Sequence, residues 1–175
     1  MTPLFKRILG AKFDALPMLL QDVHDSRPSK KFRGRCEIQC GRRWAARVLA
    51  RMAALPKPAR DVPIDVSIHC EGDQETWTRV IGVRRMQTRL AEREGLLVES
   101  VGPVHLSFSL DVVDETIVWR MAGARAMGFR LPLSWFTNVS AREAVESGRY
   151  TFDVRAELAY VGLLIHYRGW LERDA

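Results

Sequence analysis

Three residues at alternate positions, Glu75, Trp77 and Arg79, have side chains suited to ligand recognition. Alternate residues of a β-strand point to the same face, so the carboxylate and the guanidinium would flank the indole ring there. On the concave side of a curved sheet, such a charged pair could recognise a polar ligand. The alternative is an exposed cross-strand pair without a role in binding.

A second carboxylate, Glu143, lies in an apolar pattern. Val139, Ala141 and Val145 stand at even spacing from it, which places Glu143 on an otherwise apolar strand face. A lone carboxylate on such a face has to be paired, protonated or functional. We therefore predict that Glu143 marks a site, and we hypothesise that it pairs with Arg79.

Three further residues, His24, Asp153 and Tyr167, complete a candidate polar cluster. Two carboxylates near a histidine and a tyrosine could orient a ligand or perform general acid–base catalysis, and the sequence leaves both alternatives open. No residue is assigned as catalytic. The candidate ligand-binding residues are Glu75, Trp77, Arg79, Glu143, Asp153, Tyr167 and His24.

The three cysteines, Cys36, Cys40 and Cys70, are predicted to be reduced core thiols. Cys36 and Cys40 are four residues apart on a predicted strand, hence ~13 Å apart, too far for a disulfide or a shared zinc ion. The sequence has no Gly-x-Ser-x-Gly nucleophile motif. We predict no metal and no cofactor, and the odd cysteine count without a signal peptide favours a cytoplasmic protein.

The elements that must position these residues predict an α+β fold in one domain spanning residues 1–175. Residues 1–28 are predicted to form short helices, and residues 32–175 an antiparallel sheet with an inserted amphipathic helix at 43–55. The apolar stripe of that helix consists of Trp44, Val48, Met52 and Leu55. The joints between strands are short, which favours antiparallel neighbours. About nine strands are expected, as a strongly curved meander sheet or partial barrel against which the helices pack.

One longer stretch, residues 123–138, is apolar but irregular, with Trp135 and Phe136 near its end. It either caps the open end of the curled sheet or forms a lid over a ligand cavity. We expect any site to border it.

The chain carries a net charge of +6, and only five of its 27 basic residues are lysines. No pattern of an RNA- or DNA-binding module accompanies this charge, so we do not expect a nucleic-acid partner. Arg43, Arg47 and Arg51 form a basic stripe on the predicted helix, which either faces solvent or contacts phosphates or an acidic partner. No apolar run reaches the ~18 residues of a membrane-spanning helix.

A series of short motifs runs along nearly the whole chain. The motifs are Leu4-Phe5, Leu9-Gly10-Ala11, Phe13-Asp14-Ala15-Leu16-Pro17, His24-Asp25, Gly34-Arg35-Cys36, Leu55-Pro56, Asp61-Val62-Pro63, Glu75-x-Trp77-x-Arg79, Glu99-Ser100-Val101-Gly102-Pro103, Gly128-Phe129-Arg130-Leu131-Pro132, Glu143, Gly148-Arg149-Tyr150-Thr151-Phe152-Asp153-Val154, Gly162-Leu163-Leu164 and Tyr167-Arg168-Gly169-Trp170-Leu171. Their order resembles the bacterial family of domains of unknown function 4166. That resemblance implies small-molecule metabolism, because family members occur alone or fused behind an oxidoreductase domain similar to saccharopine dehydrogenase. It implies no specific activity.

Three functions follow as hypotheses. The first is a small-molecule-binding or accessory domain whose mainly apolar ligand is oriented by Glu75, Arg79 and Glu143. The second is an enzyme using His24, Glu143, Asp153 and Tyr167. The third is an interaction domain that docks on an oxidoreductase through Trp135 and Phe136. A cavity of about 300 Å³ or more with the carboxylates in its wall favours the first two, and a filled core with an exposed apolar patch favours the third.

Overall fold

A computed structural model describes residues 2–174, which form a closed antiparallel β-barrel with a few short helices. The helices are α1 (Leu4–Leu9), α2 (Met18–Val23) and α3 (Trp44–Met52), with 3₁₀ turns at Gly10–Ala15 and Leu133–Trp135. The strands are β1 (Ser29–Cys40), β2 (Ala59–Glu71), β3 (Gln74–Ile81), β4 (Arg84–Arg93), β5 (Leu96–Val101), β6 (Val104–Val113), β7 (Thr116–Ala126), β8 (Phe129–Arg130), β9 (Phe136–Glu146), β10 (Arg149–Leu158) and β11 (Gly162–Arg173).

Ten strands close the barrel as a meander. Each strand from β1 to β7 pairs with the next along the chain, β7 pairs with β9, and β9 to β11 continue in order. Pairing of β1 with β11, from Phe32 opposite Arg173 to Cys40 opposite Ile165, joins the first strand to the last and leaves no free barrel edge. The antiparallel meander is as predicted. The expectation of a partial barrel of about nine strands is wrong, because the sheet closes completely with ten strands.

Short turns fix the register of several hairpins. At Glu94 and Gly95, and at Asp114 and Glu115, both central residues have positive φ, the conformation that suits the twist of a two-residue antiparallel turn. The two-residue strand β8 pairs only with the last residues of β7. It lies beside the barrel and is not one of the ten closing strands.

The two ends of the barrel carry different elements. We call the lower end the one with the β2–β3, β4–β5, β6–β7 and β9–β10 turns, and the upper end the one with α3 and the β3–β4, β5–β6, β7–β9 and β10–β11 connections. The N-terminal helices close the lower end, where Arg7 donates a hydrogen bond to the Asp73 carbonyl over 2.9 Å and Lys12 to Asp111 over 2.7 Å. Leu4, Phe5, Leu9, Phe13, Leu16, Leu20 and Val23 insert there into the core.

Helix α3 differs from the expectation in how it packs. Its Ala46 is buried and the helix contacts β11, but the apolar stripe of Trp44, Val48 and Met52 is exposed. Amphipathic spacing identified the stripe correctly but not the face that the barrel covers. None of the helices among residues 2–174 is long and apolar enough to span a bilayer.

Residues 123–138 are more regular than expected. Their first four residues belong to β7, Phe129 and Arg130 form β8, and β9 already begins at Phe136 instead of at Val139. The irregular part is therefore restricted to the turn at Met127 and Gly128 and the 3₁₀ turn with its flanks. Trp135 is half exposed there.

Candidate functional site

The alternate residues of β3 face the inside of the barrel. Glu75 and Trp77 are buried, and the Trp77 Nε1–H donates a hydrogen bond to Glu75 Oε2 over 2.8 Å. The Arg79 guanidinium carbon lies 5.1 Å from the centre of the Trp77 ring, within reach of a cation–π interaction. Arg79 also donates to Thr88 Oγ1 over 3.0 Å. The carboxylate and the guanidinium thus flank the indole ring, as the spacing predicts.

His24 and Glu143 form a fully enclosed pair. The imidazole follows α2 and is completely buried, and its Nε2 lies 2.5 Å from Oε2 of Glu143 on β9. When Glu143 is ionised its carboxylate only accepts, and Nε2 is then the donor. The Phe5 ring covers the imidazole at a centroid distance of 3.6 Å, and Trp77 stacks at 5.8 Å. Among residues 2–174, no group bonds His24 Nδ1.

Lys30 fastens the end of α2 to β1. Its buried ammonium donates to the Val23 carbonyl over 2.8 Å and to the Asp25 carbonyl over 2.6 Å, and it lies 3.4 Å from the Asp25 carboxylate. Carbonyls at a helix C-terminus carry partial negative charge, so a buried cation is stabilised there. This contact fixes the connection on which His24 lies and so positions the imidazole.

A cavity of about 130 Å³ lies inside the barrel beside these residues. Apolar and aromatic side chains form most of its wall, and the polar lining residues are Arg79, Glu99, Ser140, Glu143, Tyr150, Arg155 and Tyr167. The cavity does not reach the ~300 Å³ of ordinary small-molecule sites, the size that we expect to favour ligand binding or catalysis, and it excludes a ligand of drug size. A protein cavity of about 150 Å³ holds benzene, so this one suits a molecule of roughly one ring. The apolar and aromatic lining residues are Ile64, Val66, Trp77, Leu106, Phe108, Trp119, Val139, Ala141, Phe152, Val154, Ala156 and Leu171.

Two buried tyrosines supply neutral hydroxyls to the cavity. Burial raises the pKa of Tyr150 well above its usual value, and the charge of Glu143 raises it further. Burial also raises the pKa of Tyr167, although the nearby Arg79 opposes this. Both phenols therefore keep their protons at neutral pH and can donate hydrogen bonds.

Burial raises the pKa of Glu75, although the charge of His24, the Trp77 hydrogen bond and the charge of Lys30 oppose this. A carboxyl group with a raised pKa in the folded state retains its proton there longer than in the unfolded chain. Its contribution to stability is thus present at low pH and is lost as the pH rises above the ordinary value of 4.5.

Glu75→Gln is therefore expected to remove this loss of stability with rising pH. The free energy of unfolding of the variant should increase relative to that of the unaltered protein when it is measured in steps of about one pH unit from pH 4 towards pH 7. Urea unfolding at each pH measures the difference. Glu172→Gln, an exposed substitution on β11, is the control. A Glu75→Gln difference that is constant with pH, or that changes in the opposite direction, would contradict the raised pKa.

Of the seven candidate residues, six come together inside the barrel and Asp153 does not. Asp153 points outward from β10, where its carboxylate lies 2.9 Å from His166 Nε2 and lines an external cleft. Its neighbours Phe152 and Val154 take the inward positions. The prediction that Asp153 joins the polar cluster is wrong, because one step along a strand reverses the face.

The hypothesised pairing of Arg79 with Glu143 is replaced by two separate pairs. Both side chains line the cavity, but Arg79 approaches Glu99, with 3.7 Å between nitrogen and oxygen, and Glu143 binds His24. No ion pair joins Arg79 to Glu143 among residues 2–174. Arg79 and Glu143 therefore line the same cavity, but each is paired with a different residue.

Four residues of the candidate site were not predicted as site residues from the sequence: Lys30, Glu99, Trp119 and Tyr150. Glu99 stands two positions after the buried Leu97, so it carries the same signal as Glu143, a charge on an apolar strand face. Lys30 likewise stands two positions before the buried Phe32. Trp119 and Tyr150 carry no such signal, because aromatic residues at inward positions are ordinary core residues.

Cysteine nucleophiles and metal binding have less support in the structure. Burial raises the pKa of all three cysteine thiols, that of Cys36 to about 11, so these are poor nucleophiles at neutral pH. In the part of the chain from residue 2 to 174, no group of three or more His, Cys, Asp or Glu side chains is arranged to hold a metal ion.

Comparison with known proteins identifies the family and the fold. The family model described as domain of unknown function DUF4166 matches residues 16–171. The crystal structure of Rv2717c from M. tuberculosis is similar over 91% of this chain and 99% of that chain, with a TM-score of 0.52 and 13% sequence identity. At that identity the similarity concerns the fold alone. No curated protein matches the sequence.

Proposed function

Since this chain belongs to the DUF4166 family of domains of unknown function, its role has to be argued from its own barrel, and we propose that it binds one compact, uncharged small molecule there. The observation that carries this proposal is the cavity of about 130 Å³, whose mainly apolar and aromatic wall contains several polar groups. A few polar groups in a mostly apolar pocket are typical of small-molecule sites.

The polar groups of the wall define the chemistry of the ligand. The wall contains two carboxylates, Glu99 and Glu143, and two guanidiniums, Arg79 and Arg155. Arg79 approaches Glu99 and Arg155 pairs with Glu157, so neither guanidinium offers an unpaired cation to an anionic ligand. The Trp119 Nε1–H is buried and has no hydrogen-bond partner among residues 2–174. An acceptor oxygen on the ligand would satisfy this donor. A ring-sized body with one hydroxyl or carbonyl oxygen fits these requirements.

A thermal-shift series tests the proposal. Phenol, benzyl alcohol and benzamide are expected to raise the melting temperature, and benzoate is not, because its carboxylate would be desolvated beside Glu99 and Glu143. Glu143→Gln removes one of these charges and should reduce the discrimination against benzoate. Calorimetric titration of the best probe then gives the affinity and stoichiometry.

Two alanines on β9 provide matched variants for the same test. Ala141 lines the cavity. Ala144 faces outward and lines the same external cleft as Asp153. Ala141→Leu fills much of the cavity and is expected to abolish the thermal shift, whereas Ala144→Leu should leave it unchanged. If none of the neutral probes shifts the melting temperature, or if Ala141→Leu binds them as well, the binding proposal is wrong.

The enzyme hypothesis retains one supporting observation. Glu143 contacts His24 on one side and the cavity on the other, so the histidine could position a carboxylate that exchanges protons with a bound molecule. Asp153 has no part in this set. Docking of an oxidoreductase through Trp135 and Phe136 stays a prediction.

A further inference from the structure

Exposed apolar side chains are concentrated at the upper end of the barrel. Of the twelve large hydrophobic side chains that are exposed among residues 2–174, ten lie there, and the other two are Met18 and Val113. Scattered exposed hydrophobic residues are normal, but a concentration on one end marks an interaction surface. The ten are Trp44, Val48, Leu49, Met52, Val83, Met127, Phe129, Leu133, Trp135 and Tyr160.

The charged residues of the strand connections are also distributed unevenly between the two ends of the barrel. The upper connections, residues 41–58, 82–83, 102–103, 127–135 and 159–161, contain no acidic residue. Residues 41–58 alone carry five basic residues, against a net charge of +6 for the whole chain. By contrast, the lower turns carry Asp73, Glu94, Asp114 and Glu115. The upper end is thus both basic and apolar.

Helix α3 combines the two properties in one amphipathic element. Trp44, Val48 and Met52 are spaced by four residues and exposed, while Arg47 and Arg51 form a basic stripe beside them. The helix is attached to the barrel by Ala46, so its apolar stripe is free to contact another surface. A basic helix with tryptophan on its apolar face is typical of helices that lie in a membrane interface.

The neighbouring connections extend this surface beyond the helix. Arg43 donates a hydrogen bond to the Tyr160 carbonyl over 3.1 Å, and the Ala159 amide donates to the Trp135 carbonyl over 2.8 Å. The β10–β11 turn therefore joins α3 to the 3₁₀ turn of Trp135. Tryptophan and tyrosine favour the membrane–water interface, where the ring is in an apolar layer and the polar group reaches water.

We propose that the upper end of the barrel binds an anionic membrane surface, with α3 lying in the plane of the lipid headgroups. The arginines would attract anionic headgroups, and the exposed apolar side chains would enter the boundary between headgroups and acyl chains. An acidic protein groove is a different class of partner. The membrane is favoured because the apolar side chains are spread over several connections of one barrel end and do not form a single ridge that a groove would accept.

Cosedimentation with vesicles tests the proposal. The full chain is expected to sediment with vesicles of equal parts phosphatidylglycerol and phosphatidylcholine, and not with phosphatidylcholine alone. Binding should weaken as salt increases, since screening reduces headgroup attraction. Arg47→Gln with Arg51→Gln should lower the partition coefficient by about 25-fold, at about fivefold for each arginine near the surface.

Matched variants at the lower end serve as controls. Arg93 and Arg173 are exposed near the opposite end, so Arg93→Gln with Arg173→Gln changes the net charge equally but should alter binding by less than about twofold. Trp44→Ser with Met52→Ser should weaken binding by at least about tenfold, whereas Met18→Ser with Val113→Ser should not. The four altered side chains of the upper end are exposed, so melting temperatures should stay close to that of the unaltered protein.

Three results would overturn the proposal. They are no sedimentation with the anionic vesicles at low salt, equal sedimentation with the neutral vesicles, and equal losses in the upper-end and lower-end variants. Retention on an immobilised polyanion such as heparin without vesicle binding would assign the basic surface to another class of partner.

Discussion

His24→Ala is expected to lower the free energy of unfolding by about 3–5 kcal/mol. This is the range observed when one partner of a buried, hydrogen-bonded ion pair is removed. The substitution leaves the Glu143 carboxylate enclosed without the donor that lies 2.5 Å away. It also removes the ring that packs against Phe5 and Trp77. Urea unfolding followed by tryptophan fluorescence measures the loss.

The barrel contains a matched control for this substitution. His166 and Asp153 form a second pair of the same chemistry, 2.9 Å apart, but on the outer face, where the Asp153 side chain is 47% exposed. His166→Ala is therefore expected to cost about 1 kcal/mol or less. A double-mutant cycle of His24→Ala with Glu143→Leu should show coupling, because the double variant no longer encloses an unpaired carboxylate. Equal losses for His24→Ala and His166→Ala, or strict additivity in the cycle, would show that burial does not strengthen the inner pair.

Local periodicity predicted much of the inner site. Glu75, Trp77 and Arg79 share a face because strand alternation depends only on neighbouring residues. The conflict between Glu143 and its apolar strand face correctly marked a buried polar group. The same rule, applied to Phe152 and Val154, would have placed Asp153 outside, so that error was avoidable from the sequence.

Partners across the barrel could not be predicted in the same way. Glu143 binds His24, which is 119 residues away along the chain, and the contact exists only because the N-terminal helices close the lower end. Strand alternation states which face a residue occupies, but not which distant residue shares the interior. The expected pair of Arg79 with Glu143 was therefore a choice among several inward charges, and the prediction did not consider Glu99 among them.

The amphipathic pattern of α3 has the corresponding limit. The spacing of Trp44, Val48 and Met52 predicts a helix with one apolar face, which the structure contains. It does not state whether the rest of the chain covers that face. Here Ala46 is the contact with the barrel and the apolar stripe is exposed, so the correct spacing led to the wrong packing.

Closure of the barrel depends on two strands that are far apart in sequence but approach closely, β1 and β11. Short joints predicted each hairpin, yet no local signal showed that the last strand pairs with the first. The close approach of the two strands requires glycine at two positions. A Cβ on Gly34 would lie 1.8 Å from the Trp170 carbonyl oxygen, and a Cβ on Gly169 would lie 2.1 Å from that of Arg35.

Gly169→Ala is accordingly expected to lower the free energy of unfolding by about 3 kcal/mol or more, at the upper end of the range for overpacking. The obstacles to its methyl group are the Arg35 carbonyl and the Cα of Cys36, which lies 2.8 Å from the added carbon. Backbone atoms of a paired strand cannot move aside as a flexible side chain can, so β1 and β11 must separate locally. Urea unfolding measures the loss, and dispersion of the amide NMR spectrum reports whether the variant still folds.

Gly123→Ala on β7 is the control for this substitution. Gly123 is also a strand glycine without positive φ, but its added carbon would meet the Ser107 Cβ at 3.7 Å, an ordinary contact. This variant is expected to remain within about 1 kcal/mol of the unaltered protein, because alanine is no less suited than glycine to an extended strand. If Gly169→Ala is as stable as Gly123→Ala, then β1 and β11 do not approach closely at this position, and closure of the barrel does not require a glycine there.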